Sequence, residues 1–81
     1  MTICCLMKNI FYLNNRGTSY YYREDYQTAI KYFQKVIDLV EGYDDMSFEL
    51  NLGRLNLGDC YLQLNMVDLA VKYINECQLF F

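Results

Sequence analysis

Sliding this chain against itself by 41 residues sets Gly17 on Gly58, Tyr20 on Tyr61 and Ala29 on Ala70. The same shift sets Lys31 on Lys72, Tyr32 on Tyr73 and Phe33 on Ile74. Ordered agreement in a single register marks two copies of one structural unit, and such units bury their apolar faces by stacking on each other. The clearest pair of segments is "REDYQTAIKYFQKVIDL" at 23–39 and "NMVDLAVKYINECQLF" at 65–80.

Each copy reads as two helices. In the first, apolar and aromatic residues run through Ile10, Phe11, Leu13, Tyr20, Tyr21 and Tyr22, and "REDY" then breaks the pattern. Tyr26, Ala29, Ile30, Phe33, Val36, Ile37 and Val40 follow at spacings of three and four, the period of an amphipathic helix. "EGYDD" supplies a glycine stop and then acids suited to the first turn of the next helix. The second copy repeats the plan with Phe48, Leu52, Leu55 and Leu62, then Val67, Ala70, Val71, Ile74 and Cys77; Asn65 reads as an N-cap or turn residue between them. The coarse prediction is four helices near 2–22, 25–41, 46–63 and 66–80. The absence of proline from all 81 residues agrees with long helices.

Several function classes find no support. With a net charge of −3 and acids and bases interleaved, no cationic cluster exists to neutralise a phosphate backbone, so no nucleic acid is expected as partner. No apolar run approaches the roughly 20 residues that span a bilayer, and Lys8 interrupts the apolar start, against a signal peptide. Cysteines 4, 5, 60 and 77 have no metal-ligand spacing and the chain has no histidine, so neither metal nor other cofactor is expected. Free, partly buried thiols in a reducing cytoplasm are the simple reading. There is no histidine, nucleophile elbow, phosphate loop or dinucleotide fingerprint, so catalysis is not expected.

Gly-x-x-Tyr followed by Ala-x-x-x-Phe resembles the skeleton of the tetratricopeptide repeat. "RGTSYYYREDYQTAIKYFQKVIDL" follows that pattern closely and "LGDCYLQLNMVDLAVKYINECQLF" more loosely, and the resemblance covers about residues 11–80. It implies an all-α fold of two tandem antiparallel helix-turn-helix repeats, a right-handed α-solenoid segment. One domain over 1–81 is expected, with repeats at about 2–41 and 46–80. Gly17, Gly58, Ala29 and Ala70 would mark close helix crossings, with Tyr20, Phe33, Tyr61 and Ile74 filling the space beside them. The usual period is about 34 residues, so an offset of 41 adds about seven, roughly two helical turns. That insertion is expected around Val40–Phe48. Repeats near this length resemble those of kinesin light chains and of bacterial signalling proteins that bind short peptides.

In this family the first helix of each repeat lines a concave groove that binds peptides or partner helices. Carried over by register, the groove positions are Phe11, Asn14, Asn15, Thr18, Tyr21 and Tyr22, then Leu52, Leu55, Asn56, Asp59, Leu62 and Gln63. The binding set expected is Asn15, Thr18, Tyr22, Leu52, Asn56, Asp59 and Gln63. Asn15 and Asn56 hold equivalent places, and an amide there offers both donors and an acceptor to a ligand backbone. An exposed or locally bonded Asn is the alternative, as core or rim packing is for Tyr21 and Tyr22. Asn56 fits one position of the family's carboxylate clamp, but Asn14 and Thr18 stand where Lys and Asn would be needed, which disfavours that ligand. Glu24, Asp25, Asp44, Asp45 and Glu49 read as helix-dipole partners.

Two repeats fall short of the roughly three a solenoid usually needs. The apolar ends, "ICCLM" and "CQLFF", lack the polar outer face of a capping repeat. The expected function is therefore a protein- or peptide-binding module within a larger cytoplasmic, bacterial, signalling or scaffold protein. The rival is a self-association segment, a homodimer formed through Phe80 and Phe81.

Overall fold

A computed structural model describes residues 3–77 of the chain. These residues form four α-helices in chain order: α1 (Ile3–Tyr22), α2 (Tyr26–Val40), α3 (Ser47–Gln63) and α4 (Val67–Glu76). One 3₁₀ turn, Asp44–Met46, precedes α3. Among the described residues there is no strand, and each helix packs on the next. The all-α reading and the helix boundaries agree with the sequence pattern to within a few residues.

The two turns inside the repeats share one geometry. Asp25 caps α2 by accepting from the Thr28 amide at 3.3 Å, and the residue before it, Glu24, has a φ of 63°. Forty-one residues on, Asn65 has a φ of 61°. Asn65 is thus the left-handed turn residue, and the cap position falls to Met66, whose side chain makes no capping bond. Asn tolerates this conformation better than Glu, because its short amide can bond locally.

α2 stops where Gly42 turns left-handed, with a φ of 93°, as helix ends commonly do. The extra length of the repeat is taken up by residues 41–46 and the first turn of α3. The insertion is not a loose loop, for it contributes Met46 to the core. Asp44 and Asp45 consequently sit in the 3₁₀ turn rather than in the first turn of α3.

Two clusters hold the helices together. Leu6, Ile10, Val36, Val40 and Met46 form the first, with Leu13, Leu39 and Leu50 against it. Ala29, Phe33, Ile37, Leu57 and Cys60 form the second, flanked by Tyr20, Tyr21, Ile30, Tyr61 and Tyr73. Cys60 is buried there, and burial, followed by the nearby charge of Asp59, pushes its thiol up to about 11. Among the described residues no disulfide is formed, and Cys4 and Cys5 are exposed.

The predicted crossings are close. A Cβ on Gly17 would lie 2.7 Å from Cε1 of Phe33, and one on Gly58 would lie 2.8 Å from Cγ1 of Ile74. Gly53, which the sequence reading does not single out, has a similar role: a Cβ there would meet Ile37 at 3.1 Å. Tyr20 lies at the rim, half-buried and stacked on Tyr32 with ring centroids 5.6 Å apart and planes 9° apart. Its repeat equivalent, Tyr61, stacks on Tyr73 at 5.6 Å and 11°.

Gly17→Ala should destabilise the fold in spite of its better helix propensity. Overpacking the Phe33 ring costs about 1–3 kcal/mol, against roughly 1 kcal/mol gained by replacing a helical glycine. Urea unfolding followed by circular dichroism measures the difference; a stabilised variant would show that the crossing is not tight.

Candidate functional site: a cleft between the first helices of the repeats

Residues three and four apart on α1 and three apart on α3 bring one side of each helix to a shared cleft. It is lined by Thr18, Tyr21 and Tyr22 from α1, Asn56 and Asp59 from α3, and Phe33 from α2. Its volume is about 160 Å³. Drug-sized ligand pockets run to roughly 300–1,000 Å³, so this cleft has the scale of a side chain.

The centre of the cleft is a hydrogen bond between the repeats. The Tyr21 hydroxyl donates to Oδ2 of Asp59 at 2.8 Å. Gln63, one turn further along α3, donates to the other oxygen, Oδ1, at 3.4 Å. The bond to Asp59, then desolvation, pushes the Tyr21 hydroxyl up to about 12. Tyr21 also meets Tyr22 edge to face at 5.5 Å and Tyr26 at 5.4 Å. Its ring is therefore held on both sides, while Tyr22 is 79% exposed.

Four of the residues chosen by register, Thr18, Tyr22, Asn56 and Asp59, meet in this cleft. Gln63 reaches it only through Asp59. Asn15 and Leu52 are exposed on α1 and α3 but do not line it. The two equivalent asparagines thus part company: among the described residues Asn56 faces the cleft with no hydrogen bond made by its amide, and Asn15 stands outside it. Phe80 and Phe81 lie outside the described residues. Two buried oxygens outside the cleft lining have no donor: Oδ1 of Asn14, one turn before Thr18, and Oε2 of Glu49, two turns before Asn56.

The register argument does not identify Tyr21 as the bridging residue or Phe33 as part of the lining. Tyr21 and Asp59 are 38 residues apart, and the packing of α1 and α3 on α2 brings them into contact. Phe33 reads as core from its spacing, and it serves as core and cleft wall together.

The tetratricopeptide repeat family matches this chain twice, over residues 10–43 and 53–79. A segment of 60 residues is also 33% identical to the anaphase-promoting complex subunit CDC16 of Saccharomyces cerevisiae. That segment covers 74% of this chain and 7% of the yeast protein. No solved structure matches the chain significantly. The chain belongs to the tetratricopeptide repeat family, and with the helix pairs described above it is a protein–protein interaction module. Repeats of this kind typically work without catalysis. The yeast relative lends nothing to the bacterial origin expected from the repeat length. Among the described residues, no helix is long and apolar enough to cross a membrane.

Loss of the bridging bond has a defined cost. Tyr21→Phe should lower stability at neutral pH by about 1 kcal/mol, the lower end for a bond to a charged acceptor because the pair is partly exposed. The folded chain holds the Tyr21 proton more tightly than the unfolded one, whose ordinary value is 10.0. The contribution is therefore complete below pH 10 and is lost as pH rises to about 12. Stability measured against pH should fall across that window in the parent chain, and less steeply in Tyr21→Phe. Equal slopes would show that the bond is not formed in solution.

Proposed function

We propose that the chain binds a peptide or partner segment in the cleft between α1 and α3, as part of a larger cytoplasmic scaffold or signalling protein. The observation that carries this reading is the convergence of Thr18, Tyr22, Asn56 and Asp59 on one cleft. These are positions that the family's register assigns to the binding groove. Tyr22 offers a large, rigid contact surface at low entropic cost. The Asn56 amide is free to bond a ligand backbone. The yeast relative is by its name a subunit of a multiprotein complex, which supports a role inside an assembly. The absence of a disulfide among the described residues accords with a reducing compartment.

Asn56→Ala should weaken a peptide selected on this chain by about tenfold, or 1.4 kcal/mol, and leave stability within about 0.5 kcal/mol. Titration calorimetry and thermal unfolding measure the two effects. Binding indifferent to both Asn56→Ala and Tyr22→Ala would remove the cleft assignment.

A second reading, self-association, is favoured by the outer face of α4. Phe33 of the first repeat packs with Leu57 and Cys60 of α3 and is 3% exposed. Its equivalent, Ile74, is 40% exposed, and Val67 and Val71 beside it are 54% and 49% exposed. A helix laid on α4 as α3 lies on α2 would cover them, and a second copy of the chain could supply it. Sedimentation equilibrium should then show a dimer that Val71→Asp dissociates without unfolding it; a monomer at micromolar concentration contradicts this reading.

A further inference from the structure

We infer that the cleft selects a basic side chain, arginine or lysine, of the bound partner, with Asp59 as its counter-ion and Tyr22 as its aromatic wall. This deepens the binding reading above and rests on it.

Charge comes first. Asp59 is partly buried in the cleft, and among the described residues no Lys or Arg pairs with it. Five of the chain's seven cations are engaged elsewhere. Arg54 is held by Glu76, at 3.7 Å from Nε to the carboxylate and 3.2 Å to the backbone carbonyl. Arg16 and Arg23 lie over Tyr20, 5.6 and 5.4 Å from its ring centre. Lys35 lies over Tyr32 and Lys72 over Tyr73. A carboxylate has about four lone-pair sites; Tyr21 and Gln63 take two, which leaves room for a guest's donors. A guest carboxylate would meet Asp59 as a like charge.

Acceptors and shape point the same way. Asn56 adds a carbonyl oxygen within the same lining. Among the described residues, no Lys or Arg lines the cleft. Tyr21 and Tyr22 line this same cleft with their planes 89° apart. A cation over a tyrosine face is attracted by the ring quadrupole, and a planar guanidinium can stack there while its fork reaches a carboxylate. A volume of about 160 Å³ suits one such side chain. Tyr21 is the positioning residue, since its hydroxyl holds Asp59 in place across the repeats.

The test is selection of a random phage-displayed peptide library on the full chain, followed by fluorescence anisotropy of the enriched peptide. Arginine or lysine should dominate one position. Replacing that residue by norleucine should weaken binding about tenfold, as loss of a charge-assisted contact does. Asp59→Asn, which keeps an oxygen for the Tyr21 hydroxyl, should cost the basic peptide a similar factor and the norleucine peptide almost nothing. Tyr22→Leu, at an exposed position that the fold does not need, should show the same selectivity and guards against a folding defect in the first variant. Affinity of the basic peptide should also fall with added salt. Enriched peptides that lack a basic residue, or a basic residue uncoupled from both Asp59 and Tyr22, would overturn this inference and leave the cleft reading intact. Failure to enrich any peptide would remove the cleft reading, and this inference with it.

Discussion

Everything in this fold depends on how closely α1 can approach α2, and α3 approach α4. Where the helices of a repeat cross, one side offers glycine and the other inserts a large side chain: Phe33 against Gly17, Ile74 against Gly58. Dispersion forces decay steeply with separation, so a gap of even 1 Å at the crossing would forfeit much of the packing energy along both helices. The glycine is therefore a packing device, and its cost in helix propensity is about 1 kcal/mol at each site. The stacked pairs Tyr20–Tyr32 and Tyr61–Tyr73 brace the same crossings further along, with nearly the same spacing and angle in both repeats.

The inserted residues show how a period can lengthen without disturbing the stack. An added stretch of about two helical turns could swing the second repeat away from the first. Here it is split between a connection at 41–46 and the start of α3, and Met46 is pulled into the cluster formed by Leu6, Ile10, Val36 and Val40. Gly53 then lets α3 settle close to Ile37. It has no equivalent glycine in the first repeat, where Tyr12 stands at that register position. A search for repeated residues passes over it for that reason.

The cleft was partly legible in the chain. Thr18, Tyr22, Asn56 and Asp59 follow from register, because helical periodicity fixes which residues share a face once one of them is assigned. Asn15 obeyed the same symmetry argument and yet stands apart, since equivalent positions in a stack have different neighbours: one repeat has a helix beside it where the other has solvent. The same asymmetry separates buried Phe33 from exposed Ile74. Identity of sequence position carries local conformation, whereas burial depends on what the next element covers.

The sequence by itself determined the helices, their turns, the glycine crossings and the membership of a repeat family. These are local properties, set by spacings of three and four and by residues a turn or a helix apart. Only the tertiary structure decided that Tyr21 bonds Asp59 across 38 residues, that Phe33 walls the cleft it also supports, and that Asp59 keeps no cation of its own among the described residues. Those facts come from the lateral spacing and rotation of α1 against α3. That relation is set by the side chains of α2 packed beneath both, and no periodicity within a single helix encodes it.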